Sequence, residues 1–196
     1  MNKTTFADFD LPEKILDVLA DRWSPRSYDA SFEITDEQLT SVLEAARWAP
    51  SAANMQPWRF AWGLRGDAGF AAIAESLVPF NKAWAEKAAA LIVVASRRVR
   101  DGSEGVVDNP WHGFDAGTAW GYLAMQAQMS GFHAHAMGGF DHAVAAQALL
   151  LCLTNGAKLL VCGSGASAVL AHQMAAWCTS GFEHDRPALA ALALSE

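Results

Sequence analysis

The feature that most constrains the fold is an alternation of three large aromatic residues, Trp58, Phe60 and Trp62. Successive side chains of a β-strand point to opposite faces, so this spacing predicts a strand with one strongly apolar face. The apolar run AALIVVA at residues 89–95 predicts a second strand, buried on both faces. Further strands are predicted at residues 132–137 and 158–162. Residues 97–109 are polar and predict an exposed connection.

Segments with helical spacing separate these strands. Thr35 and Gln38 form a capping-box pattern ahead of an apolar stripe, which predicts a helix that Pro50 ends. Asp115 is expected to cap a long helix, with Gly131 just past its end. Other helices are predicted at residues 10–22, 67–76 and 81–87 and after Asp141. No repeat or linker interrupts the pattern, so we expect one α+β domain over residues 1–196.

Composition excludes several classes of protein. A chain of 196 residues that is 52% hydrophobic and 18% charged is long and apolar enough for a full core, which argues against disorder. Its 21 acidic residues outnumber 14 basic ones, so a nucleic-acid surface is not expected. No signal peptide is indicated, and the longest apolar stretches of about eight residues are too short for a membrane helix. The three cysteines lack a CxxC spacing, so we expect a cytoplasmic protein with free thiols.

The first candidate site is the segment RWSPR at residues 22–26, in a loop that Pro25 interrupts. The guanidinium groups of Arg22 and Arg26 and the hydroxyl of Ser24 are suited to binding a phosphate. The alternative interpretation is two surface arginines beside a proline turn.

Two more segments have ligand-binding character. Residues 50–58 place small residues and hydrogen-bonding groups between two prolines, which lets a ligand approach the backbone; a helix-to-strand linker is the alternative. Gly138 and Gly139 follow Met137 and present bare backbone N–H groups ahead of a helix, although a tight turn is the commoner meaning. There is no GxGxxG after a strand. His133 and His135 alternate as metal ligands do, but without a third ligand we expect ordinary strand histidines and no metal site.

Taken together, five segments resemble the nitroreductase family of FMN-dependent oxidoreductases. They are RWSPRSY, APSAANMQPWRF, FNKAW at residues 80–84, the helix that FDAG opens at residue 114, and HAMGGFD at residues 135–141. Their order and spacing agree with the family over residues 12–142. The resemblance implies a nitroreductase-like fold, in which helices flank a mainly antiparallel sheet and two chains form an intertwined homodimer.

The resemblance also implies a role for each matching residue. Arg22 and Ser24 would bind the flavin phosphate or ribityl group, and Arg26 would lie near N1 and O2 of the ring. Ser51 and Asn54 would reach the flavin of the neighbouring subunit, and Asn81 would bond the pyrimidine edge. No side chain would act as a nucleophile, because the chemistry occurs at flavin N5, which Gly138 and Arg26 would tune. The complete set of implied cofactor-binding residues is Arg22, Trp23, Ser24, Arg26, Ser51, Ala52, Asn54, Gln56, Asn81, Met137, Gly138, Gly139 and Arg186.

The implied reaction passes a hydride from NADH or NADPH to FMN and then to a nitroaromatic or quinone-like acceptor. Both substrates need the same flavin face, so a ping-pong order is expected. Trp23, Trp84, Trp111 and Trp120 are candidates for the walls of that site, with core packing as the alternative for each. Two other functions remain open on the same fold: a flavin-dependent dehydrogenase or dehalogenase, and a flavin-binding protein with little turnover.

The last third of the chain, residues 150–196, departs from the family pattern. In the family this region carries an arm that crosses to the other subunit and a basic, proline-containing element that helps to hold phosphate. Here residues 150–180 are rich in Leu, Ala, Cys and Ser, and only Arg186 and Pro187 match the basic element. The crossing arm and the contact from Arg186 are therefore the least supported of these expectations.

Overall fold

The computed structural model describes residues 15–154, 159–162 and 191–194 of the chain. In chain order its elements are α1 (Asp17–Asp21), α2 (Asp36–Arg47), a 3-10 turn (Ala52–Asn54), β1 (Trp58–Leu64), α3 (Ala68–Ser76), α4 (Pro79–Ala85), β2 (Ala90–Ser96), β3 (Val99–Gly102), β4 (Gly105–Asp108), α5 (His112–Met129), α6 (His142–Thr154), β5 (Leu159–Cys162) and β6 (Ala191–Leu194).

The aromatic alternation in β1 is confirmed and sets the position of the main core. Trp58, Phe60 and Trp62 are buried on one face of the strand, where they pack against α2 and α5. Leu43 from α2 and Ala119 from α5 are fully buried against them. Burying aromatic side chains of this size removes a large apolar area from water and fixes both helices on that face of the sheet.

The opposite face of β1 carries small residues and a second core. Ala61 packs against Phe70 and Ile73 of α3 and against Ala148 of α6. Gly63 allows α3 to come close, because a Cβ atom at this position would lie 2.0 Å from the backbone nitrogen of Phe70. The sheet is therefore covered by helices on both faces.

The main sheet has the strand order β2-β1-β5-β6. Strands β1 and β2 are antiparallel with Trp58 opposite Ser96 and Leu64 opposite Ala90, and β5 also runs antiparallel to β1. Strands β5 and β6 of the same chain are parallel. The expected α+β architecture, a mainly antiparallel sheet flanked by helices, is confirmed.

Several helix ends form as the sequence predicts. Thr35 and Gln38 make both bonds of the capping box at the start of α2. The Asp141 carboxylate accepts from the backbone N–H groups of Ala143 and Val144 and caps α6. Gly131 follows α5 with a φ of 81°, a left-handed conformation that glycine adopts without strain. Of the helix predicted at residues 10–22, only α1 at Asp17–Asp21 is helical: residues 15, 16 and 22 are not, and residues 10–14 lie outside the described residues.

Four local predictions were wrong in detail. Strand β2 is only partly buried, because a cavity lies along one of its faces. Residues 132–137 pair with no strand in the described part of the chain and run as extended coil beside that cavity. Residues 97–109 are exposed as expected but form the hairpin of β3 and β4. Asp115 does not cap α5, which begins one turn earlier, where the buried side chain of Asn109 accepts from the backbone N–H of Trp111.

Candidate functional site

The loop of residues 22–31, called the first loop below, is held by aromatic rings from other elements. The guanidinium carbon of Arg22 lies 5.9 Å from the ring centre of Trp120 in α5, and that of Arg26 lies 5.6 Å from the ring centre of Phe80 in α4. Arg22 also donates to the Ser24 hydroxyl over 3.3 Å. Within the described residues neither arginine has a carboxylate partner, so both cations are available to an anionic ligand.

The first loop is also joined to the coil that follows α5. The Nδ1 atom of His135 lies 2.8 Å from the carbonyl oxygen of Pro25, and the ring of Trp23 meets that of His133 edge-on at 6.0 Å. Pro25 is buried, while Trp23, Ser24 and Arg26 are exposed. The loop therefore turns its proline inward and its cationic and hydroxyl groups outward.

Residues 137–139, called the glycine segment below, lie against α4. The Asn81 side-chain amide donates to the carbonyl oxygen of Gly139 over 3.0 Å, and the Val78 backbone N–H donates to the same oxygen over 3.2 Å. A Cβ atom on Gly139 would lie 2.8 Å from Asn81 Nδ2, whereas one on Gly138 would meet nothing within 4 Å. Gly139 thus allows close packing, and Gly138 leaves open space in front of its backbone.

A cavity of about 550 Å³ lies between β2, α5 and the coil at residues 132–137. Most of its wall is apolar, with Leu39, Ile73 and Leu91 among the contributors. Its polar corner is a stack of three rings in which Trp84 lies between Tyr28 and His135, with ring centres 6.1 Å and 4.7 Å apart. Met137 also lines the cavity, so the space extends to the glycine segment.

The loop of residues 49–57, called the second loop below, is organised mainly by its own bonds. The Gln56 backbone N–H donates to the Ser51 hydroxyl over 3.0 Å, and the Gln56 side-chain amide donates to Asn54 Oδ1 over 3.1 Å. Ala53, Asn54 and Gln56 have φ values of 50°, 53° and 46°, a region that residues with side chains rarely adopt. Strained backbone of this kind concentrates at functional sites.

Asp115 connects the second loop to α5. Its carboxylate is buried and accepts from the backbone N–H of Ala52 over 3.2 Å. Asp115 and Trp120 both lie on α5, so the same helix contacts the second loop through one residue and Arg22 through the other. The sequence analysis predicted Asp115 as a helix cap and missed this contact. The Asn-Pro pair at residues 109–110 is a turn signal, and it could have indicated that the helix begins before Asp115.

Ionisable groups near the first loop differ in their surroundings. Burial raises the pKa of Tyr28 to about 12, so its phenol remains a neutral donor over the physiological range. The hydroxyl and backbone N–H of Ser31 both donate to the Asp29 carboxylate and lower its pKa. The Glu75 carboxylate beside Lys82 raises the pKa of that ammonium.

Contacts join some of the residues that the sequence analysis assigned to a site. Arg26 lies against Phe80, next to Asn81, and the Asn81 side chain bonds to Gly139. Arg22 and Trp23 contact Trp120 and His133 instead. Ser51, Ala52, Asn54 and Gln56 lie in the second loop, where the Gln56 side chain is buried. Arg186 lies outside the described residues. In the described ranges no group of three or more His, Cys, Asp or Glu side chains could hold a metal ion, and no helix is long and apolar enough to cross a membrane.

Comparisons with known proteins point to one family for the larger part of the chain. The family model "Nitroreductase family" matches residues 19–77. A solved structure described as an oxidoreductase containing FMN is 40% identical, with a TM-score of 0.64 and coverage of 71% of this chain and 70% of the other. The oxygen-insensitive NADPH nitroreductase of Helicobacter acinonychis (strain Sheeba) is 37% identical over 84 residues, which are 43% of this chain and 39% of that enzyme.

A different class of protein also matches. The phosphoheptose isomerase of Methylibium petroleiphilum is 51% identical over 51 residues, which are 26% of this chain and 26% of the isomerase. The matches to the curated nitroreductase and isomerase therefore span only about two fifths and one quarter of those proteins. The nitroreductase-like matches cover the larger share of the chain.

Proposed function

The chain belongs to the nitroreductase family, and we propose that it is an FMN-dependent oxidoreductase that transfers electrons from NADH or NADPH to nitroaromatic or quinone-like acceptors. The observation that carries this proposal is the meeting of three separate motifs. The first loop contacts α4 through Arg26 and Phe80, and α4 contacts the glycine segment through Asn81 and Gly139. Segments far apart in the sequence therefore form one surface.

This surface fits FMN in its chemistry. Arg22 and Arg26 supply two cations, and Ser24 supplies a hydroxyl, for a phosphate. Gly138 offers an unobstructed backbone for the edge of a flat ring, and Asn81 is already oriented by its bond to Gly139. These residues would hold the cofactor, and the exposed Trp23 would flank it.

FMN held by these residues would supply the two-electron redox chemistry between the nicotinamide and the acceptor, which we propose follows a ping-pong order. The chain contributes binding and electrostatics. A fixed guanidinium at Arg26 favours negative charge on a nearby ring, because the cation is oriented before that charge develops. Pro25, buried beneath the loop, holds Arg26 in place through its bond to His135.

We further propose that two chains form a homodimer and that the second loop completes the site of the partner subunit. Large apolar side chains are exposed at both ends of α5: Trp111 and Phe114 at its start, and Met129 at its end, where Trp48 at the end of α2 lies nearby. Phe114 is 77% exposed and Met129 70% exposed, which is costly in water and typical of an interface. The second loop is joined to the start of this helix by Asp115, so dimerisation would present it to the partner.

The proposal is tested by the absorbance spectrum of the purified full chain, followed by anaerobic titration with NADH and NADPH. A flavin spectrum that bleaches with either nucleotide is expected. Arg26→Ala should lower FMN affinity by about tenfold or more, since a charge-assisted bond contributes about 1.5–3 kcal/mol. Arg97→Ala is the matched control, because Arg97 pairs with Asp101 on the exposed hairpin. A chain that binds no FMN would falsify the proposal.

The homodimer is tested by light scattering at micromolar concentration. We expect a dimer, and we expect Phe114→Asp to produce a monomer with weaker FMN binding. A wild-type monomer that binds FMN as tightly as the dimer would contradict the shared site.

The two alternatives on the same fold are separated by simple assays. Turnover of an oxidisable substrate without NAD(P)H would favour the dehydrogenase, and release of halide from a halogenated substrate that requires NAD(P)H would favour the dehalogenase. Bound flavin that neither nucleotide bleaches would favour a flavin-binding protein with little turnover. The departure of residues 150–196 from the family pattern is the observation that favours this last alternative.

A second candidate function, sugar-phosphate binding, rests on the match to the phosphoheptose isomerase. A heptose phosphate that raises the melting temperature of the purified chain would support this candidate, and an unchanged melting temperature would remove it.

We propose a cytoplasmic location and a single domain for the whole chain.

A further inference from the structure

The hairpin of β3 and β4 is exposed to solvent on both of its faces. Every residue of its two strands is exposed except Gly102, which is half-buried. Two backbone bonds hold its base: the Arg97 N–H donates to the Pro57 carbonyl oxygen over 2.8 Å, and the Asn109 N–H donates to the Arg98 carbonyl oxygen over 2.7 Å. The hairpin is therefore anchored at one end and presents its side chains to solvent.

The two faces of the hairpin differ in charge. Residues opposite each other on paired strands share a face, and successive residues alternate between faces. One face carries both acidic residues of the strands and two valines, namely Val99, Asp101, Val106 and Asp108. The Arg97 guanidinium is paired with this face, because it lies 3.3 Å from the Asp101 carboxylate.

The other face, called the basic face below, carries Arg98 and Arg100. Arg100 lies opposite Val107, and the bond from Asn109 to Arg98 extends the same register by one pair. The two arginines are therefore two residues apart on one face, about 6.6 Å along the strand. Both are exposed, and neither has a carboxylate partner in the described ranges of the chain. Two like charges this close repel each other, so an anion between them is stabilised.

The chemistry of the basic face fits a phosphate monoester. A guanidinium presents a planar fork of N–H donors that matches phosphate oxygens, and two forks can share one dianionic group. Among the substrates of the proposed function, NADPH differs from NADH by one such group, the 2′-phosphate on its adenosine ribose. The basic face can therefore distinguish between the two nucleotides.

The base of the hairpin lies beside elements assigned to the proposed dimer. Pro57, which bonds to Arg97, is the last residue of the second loop. The Ser96 hydroxyl lies 2.7 Å from His112 Nδ1 at the start of α5, next to the exposed Phe114. From Arg97 to Arg100 the extended chain covers only about 10 Å. In the proposed homodimer, the basic face would thus lie next to the loop that completes the partner's site.

We propose that Arg98 and Arg100 bind the 2′-phosphate of NADPH at the site of the partner subunit and so make the chain prefer NADPH to NADH. The inference rests on the proposed function and deepens it, because it names the co-substrate and the residues that select it. Neither arginine is assigned to the flavin, so both should affect the binding of the nucleotide and not the rate of hydride transfer.

The first test measures binding without redox chemistry. Adenosine 2′,5′-bisphosphate carries the ribose phosphate that adenosine 5′-monophosphate lacks, and calorimetry on the full chain should show at least about tenfold tighter binding of the bisphosphate. Arg100→Ala should weaken bisphosphate binding by about tenfold and monophosphate binding by less than about threefold. Arg97→Ala is the matched control, because it removes the same charge from the opposite face, and it should change neither. Equal effects of the two variants would overturn the proposal.

The second test uses steady-state kinetics with both nucleotides. The double variant Arg98→Ala and Arg100→Ala should raise the KM for NADPH by about 100-fold, raise that for NADH by less than about threefold and leave kcat unchanged. Arg100→Lys keeps the charge but loses the fork, so it should raise the KM for NADPH less than Arg100→Ala does. Equal rises in both KM values would contradict recognition of the 2′-phosphate.

The third test asks which subunit the hairpin serves. In a mixed dimer of Arg26→Ala with the double variant, one of the two sites combines an intact Arg26 with an intact hairpin only if the hairpin acts across the interface. We expect differently tagged, co-purified mixed dimers to recover about half of the wild-type rate at low NADPH concentration. Absence of recovery would overturn the assignment to the partner's site.

Failure of this inference and failure of the proposed function give different results. A flavin that NADH and NADPH bleach with equal affinity would remove the inference and leave the proposed function standing. A chain that binds no FMN but binds the bisphosphate through Arg100 would keep the basic face as a phosphate site and remove the redox function.

Discussion

The first and second loops serve the same proposed site but are stabilised in different ways. The first loop is fixed by contacts with distant segments, including Arg22 with Trp120, Arg26 with Phe80 and Pro25 with His135. The second loop is fixed mostly by bonds among its own residues, by strained backbone and by one contact to Asp115. The difference indicates that contacts across the chain organise the first loop, whereas the second loop is organised largely by its own residues, as its proposed contribution to a partner subunit would require.

The largest expected effect on the free energy of unfolding comes from the packing of the glycine segment against α4, which also contacts the first loop. Gly139→Ala places a Cβ atom 2.8 Å from Asn81 Nδ2 and 3.0 Å from Val78 Cγ2, so α4 must move and the Asn81 bond is weakened. We expect the free energy of unfolding to fall by about 2 kcal/mol, measured by urea denaturation. Gly138→Ala has open space and should change it by less than about 1 kcal/mol. Equal losses would show that close packing at Gly139 does not matter.

The next effect addresses the anchor of the second loop. Asp115→Ala leaves the Ala52 N–H without its acceptor and should cost about 1.5 kcal/mol of unfolding free energy. Asp115→Asn retains an acceptor oxygen and should recover most of that loss. Thermal and urea denaturation of both variants measure the difference. Failure of the asparagine to recover stability would mean that the charge of Asp115, rather than its bond, holds the loop.

A smaller effect concerns Tyr28, the partly buried tyrosine of the first loop. Because burial raises the pKa of Tyr28 to about 12, the folded state holds the proton more tightly than the unfolded state, whose pKa is near 10. The resulting stability is complete below about pH 10 and is lost as the pH rises towards 12. The difference between wild type and Tyr28→Phe should shrink by about 1 kcal/mol over that range, after allowance for solvent screening. A constant difference would contradict the burial of this hydroxyl.

The smallest effect tests the strain in the second loop. Ala53→Gly relieves a φ of 50° and should raise the free energy of unfolding by about 0.5 kcal/mol. Ala52→Gly, at a residue with ordinary φ, should lower it by a similar amount. Differential scanning calorimetry of the two variants gives the sign. If both variants are destabilised alike, the loop is not strained in solution.

Local signals in the sequence predicted most of this architecture. Thr35 and Gln38 form their capping box, and the aromatic residues of β1 share a face, because both patterns depend on geometry within a few residues. The first loop, α4 and the glycine segment are in contact in the structure, and the flavin-binding roles that the family resemblance implies for them stay predictions.

Features that depend on distant partners were not predictable in this way. Residues 132–137 have strand-like spacing, but a strand also needs a free neighbouring edge, and here the segment faces the cavity instead. The role of Asp115 depends on a partner 63 positions away, and the ring stack at Trp84 joins residues from three segments. No local pattern specifies such contacts.

Both loops contact α5, the second loop through Asp115 and the first loop through Trp120, and this arrangement has a mechanical consequence. Asp115 and Trp120 are five residues apart on one continuous helix, which corresponds to a rise of about 7.5 Å. A helix resists stretching, so it acts as a spacer of fixed length between the attachment of the second loop and that of Arg22. In the proposed homodimer, any tilt of α5 would therefore be transmitted to both loops together, and assembly and cofactor affinity should change together.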